Sequence, residues 1–333
     1  MQTLWNLPRI ELMPFAEINE RRPVLLVTSS PAWQAVKDAL HLSVNWRIDV
    51  SEATLTCWQA LLENLRHEII QVESAVLYAI GGGLVADAAK FFAKSLDLPL
   101  ICLPTALTVD AFFTWASGVR QDGCVKYIET KPPEKLVIDF AVLASAPQRL
   151  RAAGICDVLS IATGSWDWRF AEERGQNPPG MHYLPWADEA AFALLQAALD
   201  CAEAAGSGDP AGLKQLLDCL ALEVQLCNQL GHSRPEEGSE HYFAYAAENY
   251  AGSGLPHGNL VGPGILWTAR LQGQDTSQLE KSLHDCNVPL DGLSASVIKQ
   301  TLLELPAYCQ RHSLPFGIAH TLTQAQIETL SLV

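Results

Sequence analysis

Residues 75–90 read AVLYAIGGGLVADAAK, and this stretch decides the fold. The apolar run 75–80 is too short for a helix and is typical of a strand that is buried on both faces. Three glycines follow the run, and from residue 84 to 96 apolar side chains recur at helical spacing. A strand, a glycine loop and a helix in this order predict one unit of a parallel α/β sheet.

The same alternation extends on both sides of this unit. Short apolar runs at 24–28, 98–103 and 136–138 predict further strands, and the spacing over 32–40 predicts a helix. Strands and helices that alternate in this way form a doubly wound sheet. We therefore expect an α/β domain with a parallel sheet over residues 1–149.

The pattern changes after Pro147, where strand signals stop and amphipathic helices follow. An alanine-rich stretch predicts a helix over 188–205, whereas 175–185 has no period and predicts a loop. The next helix carries an apolar stripe that consists of Leu213, Leu216, Leu217, Leu220, Val224 and Cys227. A stripe of this kind is buried against other helices, so we expect an all-α domain over residues 150–333.

The composition excludes several classes of protein. The 333 residues carry 22 Lys and Arg against 37 Asp and Glu, a formal charge of −15, which argues against a nucleic-acid or anionic-membrane surface. With 49% hydrophobic and 18% charged residues, the chain can bury a large core. The nine cysteines have no CxxC spacing and are expected to be reduced thiols. A signal-peptide pattern and long apolar segments are lacking, so a cytoplasmic location is expected.

The glycine loop is the first candidate for chemistry. Gly81, Gly82 and Gly83 let the backbone approach a pyrophosphate, and the amides at the start of the next helix attract its charge. Asp87 and Lys90 follow within that helix. The alternative is a tight turn with no ligand, but ligands of open α/β sheets bind beyond the carboxyl ends of the strands. The position therefore favours a phosphate site.

A second loop, 104–110, follows the next predicted strand and lies at the same edge of the sheet. Its Thr105, Thr108 and Asp110 offer two hydroxyls and a carboxylate to a cofactor or to substrate hydroxyls. A helix cap or an Asx turn explains Asp110 equally well.

The predicted helical domain contains a possible metal site. Asp157 lies in an apolar context, and His241 and His257 are 16 residues apart. One carboxylate and two imidazoles from three helices form a three-ligand site that leaves coordination positions open for substrate oxygens. Each residue alone has a simpler explanation, as a surface histidine or an acidic cap. Together with the glycine loop, they favour a metal site.

Five motifs in one order resemble the sn-glycerol-1-phosphate dehydrogenases, which belong to a superfamily with dehydroquinate synthase, glycerol dehydrogenase and the iron-containing alcohol dehydrogenases. They read GGGLVADAAK, PTALTVD, AAGICD, SRPEEGSEH and HGNLVGPG and run from Gly81 to Gly264. The resemblance implies a dehydroquinate synthase-like fold, in which a Rossmann-like parallel-sheet domain precedes an all-α domain.

The resemblance also implies roles for individual residues. Asp157, His241 and His257 match the metal ligands, and the three glycines match the pyrophosphate loop of an NAD or NADP site. The expected cofactor contacts are Gly81, Gly82, Gly83, Asp87, Thr105, Thr108, Thr28 and Ser29.

Catalysis and substrate binding are assigned in the same way. Asp110 matches a carboxylate near the substrate hydroxyls, and Arg234 has the spacing of an arginine that holds the substrate phosphate. Lys126 is a second candidate for binding the phosphate. The alternative for both Arg234 and Lys126 is a solvated charge on the surface. A guanidinium is the natural bidentate partner of a phosphate.

Two positions depart from the pattern of the relatives. Many carry a histidine one helical turn after the first metal histidine, where this chain has Tyr245, and a phenol is a poorer proton carrier at neutral pH. Relatives often place an acidic residue after the first strand, where this chain has Thr28 and Ser29. Without that carboxylate a 2′-phosphate is not repelled, which leaves both NADH and NADPH open.

The expected activity is metal-assisted hydride transfer between a nicotinamide and a small phosphorylated ketone, as in dihydroxyacetone phosphate and glycerol 1-phosphate. The alternatives are a cyclase like dehydroquinate synthase, a glycerol dehydrogenase for unphosphorylated polyols, and a scaffold that binds a ligand without turnover. Zn, Fe and Ni all accept this donor set. A dimer or larger homo-oligomer is expected from the resemblance.

Overall fold

A computed structural model describes residues 6–69, 74–252 and 254–330. The chain divides into two compact units, the first ending at Pro147 and the second beginning at Gln148. Each unit has its own core and is described by itself.

The first unit contains eight strands and four α-helices within its described residues. Its strands are β1 (Arg9–Leu12), β2 (Val24–Thr28), β3 (Val44–Asp49), β4 (Val76–Gly81), β5 (Leu100–Pro104), β6 (Ala116–Gln121), β7 (Cys124–Glu129) and β8 (Lys135–Ile138). Its helices are α1 (Ser30–Val36), α2 (Leu55–Ile69), α3 (Gly83–Leu96) and α4 (Phe140–Ser145), with a short 3₁₀ helix at Phe15–Glu17.

Six strands form one parallel sheet in the order β1-β8-β5-β4-β2-β3. The strands β2, β4 and β5 are buried along their whole length, as the apolar runs predict. After β3 the chain returns to the other side of β2, so β2 and β4 flank the point where the strand order reverses. Ligands of doubly wound sheets bind at this switch point. The predicted parallel α/β architecture is confirmed.

Several boundaries and elements differ from the sequence predictions. The helix predicted over 32–40 spans Ser30–Val36, because Ser29 is its N-cap and Pro31 favours an early start. The strands β1 and β3 were not predicted. Both lie at the sheet edges, and exposed or half-buried positions interrupt their apolar pattern.

A second feature absent from the sequence predictions is the antiparallel hairpin of β6 and β7. The turn consists of Asp122 and Gly123, whose φ angles are 54° and 72°. Aspartate followed by glycine is a strong hairpin signal, because both central residues of a type I′ turn need positive φ. The signal was present in the sequence, but the half-exposed strands beside it have weak apolar patterns.

A buried ion pair attaches this hairpin to α3. Lys90 Nζ lies 2.9 Å from Asp87 Oδ1 and donates to Ala111 O at 2.9 Å and to the backbone oxygen of Ala116. The other carboxylate oxygen of Asp87 accepts from the amide of Gly118 at 3.2 Å. The Lys90 side chain is fully buried, so these partners compensate the cost of removing its charge from water.

The described residues of the second unit form helices joined by loops, without strands. It comprises α5 (Gln148–Arg151), α6 (Ile155–Leu159), α7 (Ile161–Glu173), α8 (Pro185–Ser207), α9 (Pro210–Leu230), α10 (Ser239–Ala251), α11 (Gly258–Leu271), α12 (Ser277–Asp285), α13 (Ala295–Arg311) and α14 (Gln324–Leu330), with a 3₁₀ helix at Ile318–Thr321. The all-α prediction is confirmed, and the predicted loop lies between α7 and α8. Within the described ranges, no helix has the length and apolarity needed to cross a membrane.

The pair α8 and α9 shows how the sequence ends one helix and begins the next. Gly208 closes α8 with φ 87°, and the Asp209 side chain caps α9 by accepting from the amides of Ala211 and Gly212. The apolar stripe of α9 is buried except at Cys227, which is half-buried. All nine cysteines are free thiols, and seven of them are buried.

Replacing Lys90 by methionine tests the role of the ion pair. The K90M variant leaves Asp87 without its cation, and we expect a loss of about 3 kcal/mol in the free energy of unfolding. Urea unfolding of the full chain measures the loss, and hydrogen exchange locates it in β6 and β7. The control is K94M, one turn later on α3, whose exposed pair with Glu129 contributes less than about 0.5 kcal/mol. Equal losses in the two variants would contradict the assignment.

Candidate metal centre and cofactor loop

The three glycines lie where β4 ends and α3 begins, and loop 104–110 packs directly against them. The amide of Thr105 donates to Gly81 O at 3.1 Å, and the amide of Gly83 donates to Thr108 Oγ1 at 3.3 Å. A Cβ on Gly83 would lie 2.4 Å from Cγ2 of Val109, which is closer than two atoms can approach without a shift. The two loops therefore share the switch-point edge of the sheet, and their packing requires glycine.

Two of the other predicted cofactor residues have their polar groups engaged within the protein. Thr28 is buried, and its hydroxyl donates to Ile80 O at 2.7 Å, which ties β2 to β4. The carboxylate of Asp87 is held by Lys90 and Gly118. Ser29 is half-buried at the N-cap of α1 and has no side-chain capping bond. The cofactor contacts of this whole set stay predictions.

The helical unit brings Asp157, His241 and His257 together. One ligand atom from each lies within 4.8 Å of the other two. Asp157 Oδ1 is 2.9 Å from His257 Nε2, and the two imidazole centroids are 5.4 Å apart. Asp157 and His241 are buried, whereas His257 is half-buried.

Different elements position the three side chains. Asp157 lies on α6, a single helical turn whose five residues are all buried. His241 is in the first turn of α10, and His257 is the N-cap residue of α11. Helices α10 and α11 approach closely at Gly264, which has no side chain. A Cβ at this position would lie only 2.5 Å from the backbone oxygen of Glu240.

The donor set fits a divalent cation. One carboxylate and two imidazoles are a common protein set for a catalytic metal, and three ligands leave positions open for substrate oxygens. Burial lowers the pKa of His241, but the hydrogen bond and charge of Glu240 outweigh it, so that the pKa rises to about 9. The negative field that raises this pKa is also the field that attracts a cation.

Tyr245 lies one turn after His241 on α10 and is buried. Its hydroxyl donates to Glu237 Oε1 at 2.8 Å, and Ser233 Oγ donates to Glu237 Oε2 at 2.6 Å. The Tyr245 and His241 ring centroids are 6.0 Å apart. The phenol is thus next to a candidate metal ligand and is coupled to a carboxylate.

Arg234 is 2% exposed, and it has no carboxylate partner within the part of the chain that the structure describes. Its Nη2 donates to Phe316 O at 2.8 Å, and its Nη1 contacts the hydroxyl of Tyr242 at 3.4 Å. Burial, together with the charge of Arg234, lowers the pKa of His232 to about 4. A buried guanidinium without an anionic partner is costly, so this region favours an anion.

The remaining predicted residues lie in the first unit. Lys126 is half-buried on β7, opposite Val119 of β6. Asp110 is half-buried in loop 104–110, and its backbone oxygen accepts from the amide of Phe113. Their roles toward a substrate stay predictions.

Sequence reasoning missed the acidic residues that surround the histidine ligand. Glu240 and Asp167 are fully buried, and Asp167 Oδ2 accepts from the amide of Ser239 at 2.8 Å. Burial raises the pKa of Asp167 to about 6. Its other oxygen accepts from the amide of Ile318 at 2.9 Å, so Asp167 joins α7, α10 and the 3₁₀ helix. The signal was the motif SRPEEGSEH, in which three acidic residues precede His241.

Comparisons with known proteins identify several similar chains. Residues 11–147 match the family model described as iron-containing alcohol dehydrogenase. A glycerol-1-phosphate dehydrogenase [NAD(P)+] of Methanothrix thermoacetophila is 27% identical over 283 residues, which cover 82% of this chain and 78% of the relative. The sheet unit of this chain thus resembles the iron-containing alcohol dehydrogenases, and most of the chain resembles a glycerol-1-phosphate dehydrogenase.

Solved structures of low sequence identity have a similar fold. A probable glycerol dehydrogenase from Sinorhizobium meliloti has a TM-score of 0.69 at 17% identity and covers 100% of this chain and 97% of its own. A 2-epi-5-epi-valiolone synthase from Streptomyces hygroscopicus, solved with NAD+ and Zn2+, has a TM-score of 0.67 at 17% identity and covers 100% and 98%. At these identities the likeness concerns the fold alone.

Replacing Gly264 by alanine tests the close approach of α10 and α11. The G264A variant forces the helices apart, and we expect a loss of about 2 kcal/mol in the free energy of unfolding together with weaker Zn²⁺ binding. Denaturant unfolding and titration with Zn²⁺ measure the two effects. The control is G292A, whose added Cβ would lie 3.6 Å from the Asn259 side chain and makes an ordinary contact. Unchanged stability and Zn²⁺ affinity in G264A would contradict the packing argument.

Proposed function

We propose that this protein is a metal-dependent NAD(P)H oxidoreductase that interconverts dihydroxyacetone phosphate and glycerol 1-phosphate. The observation that carries the proposal is the convergence of Asp157, His241 and His257 within 4.8 Å. The chain that presents them resembles, over 82% of its length, an enzyme named glycerol-1-phosphate dehydrogenase.

In this proposal Asp157, His241 and His257 hold one divalent cation, with Zn²⁺, Fe²⁺ and Ni²⁺ as candidates. When bound, the cation supplies Lewis acidity at the carbonyl oxygen of the substrate. A bound nicotinamide would supply the hydride that reduces the carbonyl carbon, and the oxygen would take a proton, for which Tyr245 is the candidate donor. The products are the secondary alcohol and NAD(P)⁺.

Gly81, Gly82 and Gly83 bind the cofactor pyrophosphate in this proposal. Gly82 and Gly83 are half-buried, and the start of α3 adds the partial positive charge of a helix N-terminus. Ser29, at the end of β2, is the candidate for the adenine ribose. It is uncharged, so both NADH and NADPH are accepted.

The phosphate of the substrate is assigned to Arg234. Its guanidinium is buried without a carboxylate, and the residue that it contacts, Tyr242, directly follows the ligand His241. An anion bound there gains a charge-assisted hydrogen bond and anchors the substrate near the cation. Lys126 and Asp110 are secondary candidates, for the phosphate and for a substrate hydroxyl respectively.

Tyr245 is the proposed proton-holding group. Its Oη keeps a proton that it shares with Glu237 Oε1 across 2.8 Å. This pair replaces the histidine that many relatives place at the same helical position. A carboxylate behind the phenol offers the proton a path that does not need an imidazole.

The direct test is an assay of dihydroxyacetone phosphate reduction at 340 nm with NADH and NADPH. We expect one NAD(P)H consumed per product formed, loss of activity after dialysis against a chelator, and recovery with a divalent ion. A cyclase would release product with no net change in absorbance. Failure to bind any divalent ion and to oxidise NAD(P)H would contradict the proposal.

The phosphate assignment is tested by replacing Arg234 with alanine. We expect the KM for dihydroxyacetone phosphate to rise about 100-fold, since the variant loses a charged hydrogen bond. Activity toward unphosphorylated dihydroxyacetone in the same variant is the control and should change little. An equal loss for both substrates would show that Arg234 is structural.

A further inference from the structure

Glu240 directly precedes the candidate ligand His241 and is completely buried. Its Oε1 lies 2.9 Å from His241 Nδ1 and accepts from the amide of Gly238 at 2.6 Å. Its Oε2 accepts from the hydroxyl of Thr163 at 2.7 Å. The carboxylate is therefore surrounded by donors from α7 and α10.

This arrangement fixes the position of a proton. An ionised carboxylate only accepts hydrogen bonds, so the hydrogen between Glu240 and His241 belongs to Nδ1. In a neutral imidazole with a proton on Nδ1, the lone pair is on Nε2. When His241 is neutral, the contact thus selects the tautomer whose Nε2 can bind a cation.

The backbone holds Glu240 in this place. A Cβ on Gly238 would lie 3.0 Å from Cα of Gly164, and one on Gly264 would lie 2.5 Å from Glu240 O. The helices α7, α10 and α11 therefore meet with backbones in close contact around this residue. The carboxylate is hydrogen-bonded from α7 and from the start of α10, and the Glu240 backbone packs against α11, so the side chain has little room to turn away from the imidazole.

The two histidines differ in burial and in the carboxylate that lies beside each ring. The side chain of His241 is 8% exposed and is backed by Glu240, whereas that of His257 is 27% exposed and is next to the ligand Asp157. His241 is the interior ligand of the set. Asp157 and Glu240 also supply two negative charges, which match a divalent cation in a buried site.

We propose that Glu240 is a positioning residue that holds His241 as the Nδ1–H form and directs Nε2 to the metal. The inference rests on the metal site of the proposed function. Carboxylates behind ligand histidines orient the ring and raise its basicity, and their loss weakens metal affinity about 10- to 100-fold. Glu240 touches neither substrate nor cofactor and acts through His241.

The test compares Zn²⁺ affinity in the wild-type protein and in E240Q, by competition with a chromogenic chelator. We expect the affinity of E240Q to fall at least 10-fold. The variant T163V removes one hydrogen bond from the carboxylate and should show a smaller fall. The matched control is E280Q, which removes an acidic residue on α12 that pairs with Arg270, and its affinity should equal that of the wild type.

A second readout reports on the imidazole directly. In NMR spectra of the protein with ¹⁵N-labelled histidine, Zn²⁺ should shift Nε2 of His241 while Nδ1 keeps its proton. In E240Q we expect exchange between the two tautomers before Zn²⁺ is added. Coordination through Nδ1 in the wild type would overturn the inference.

The outcomes separate this inference from the function on which it rests. If the wild type binds no divalent ion, the proposed function fails. If the wild type binds Zn²⁺ and E240Q binds it within twofold, the metal site stands and the role of Glu240 is wrong. If E240Q does not fold, the Zn²⁺ affinity of T163V tests the role of Glu240 instead. A lower affinity supports the inference, and an unchanged affinity would overturn it.

Discussion

Convergence of one carboxylate and two imidazoles within 4.8 Å of one another is the constraint around which the helical unit is organised. Polar and charged groups removed from water need partners, and Asp157 and His241 are both buried. The surrounding helices supply them: α7 and α10 fix Glu240 behind His241, and Asp167 holds the start of α10. A divalent cation would complete this set, because it neutralises the carboxylates and uses the free imidazole nitrogen.

The sheet unit depends on a different constraint, the close packing of two backbone loops at one edge of the sheet. Register pairs Thr28 with Ile80 and Gly81 with Pro104, so β2, β4 and β5 end at one edge, beside the point where the strand order reverses. Glycines at this edge leave room for the side chains of loop 104–110, which pack directly against them. The proposed dinucleotide site thus depends on positions without side chains, whereas the proposed metal site depends on the convergence of side chains.

The sequence predicted the central strands because they are apolar throughout, and it predicted the helical half because its stripes repeat at 3.6 residues. It missed β1, β3 and the β6–β7 hairpin, which have half-exposed strands with weak patterns. The candidate ligands Asp157, His241 and His257 were selected by motifs and resemblance, since spacing alone does not bring distant residues together. The role of Glu240 depends on a contact with one ring nitrogen, and the engagement of Thr28 depends on the strand beside it. Neither contact can be derived from residue order.

The most direct test of the shared metal site is the zinc-edge X-ray absorption spectrum of the protein reconstituted with Zn²⁺. We predict one ion per chain, with two imidazole nitrogens and a carboxylate oxygen at about 2.0–2.2 Å and further oxygen from solvent. In the His257→Ala variant, the number of imidazole ligands derived from the spectrum should fall from two to one. Sulfur ligands, or a spectrum that this substitution leaves unchanged, would contradict the assignment of Asp157, His241 and His257 to a shared cation.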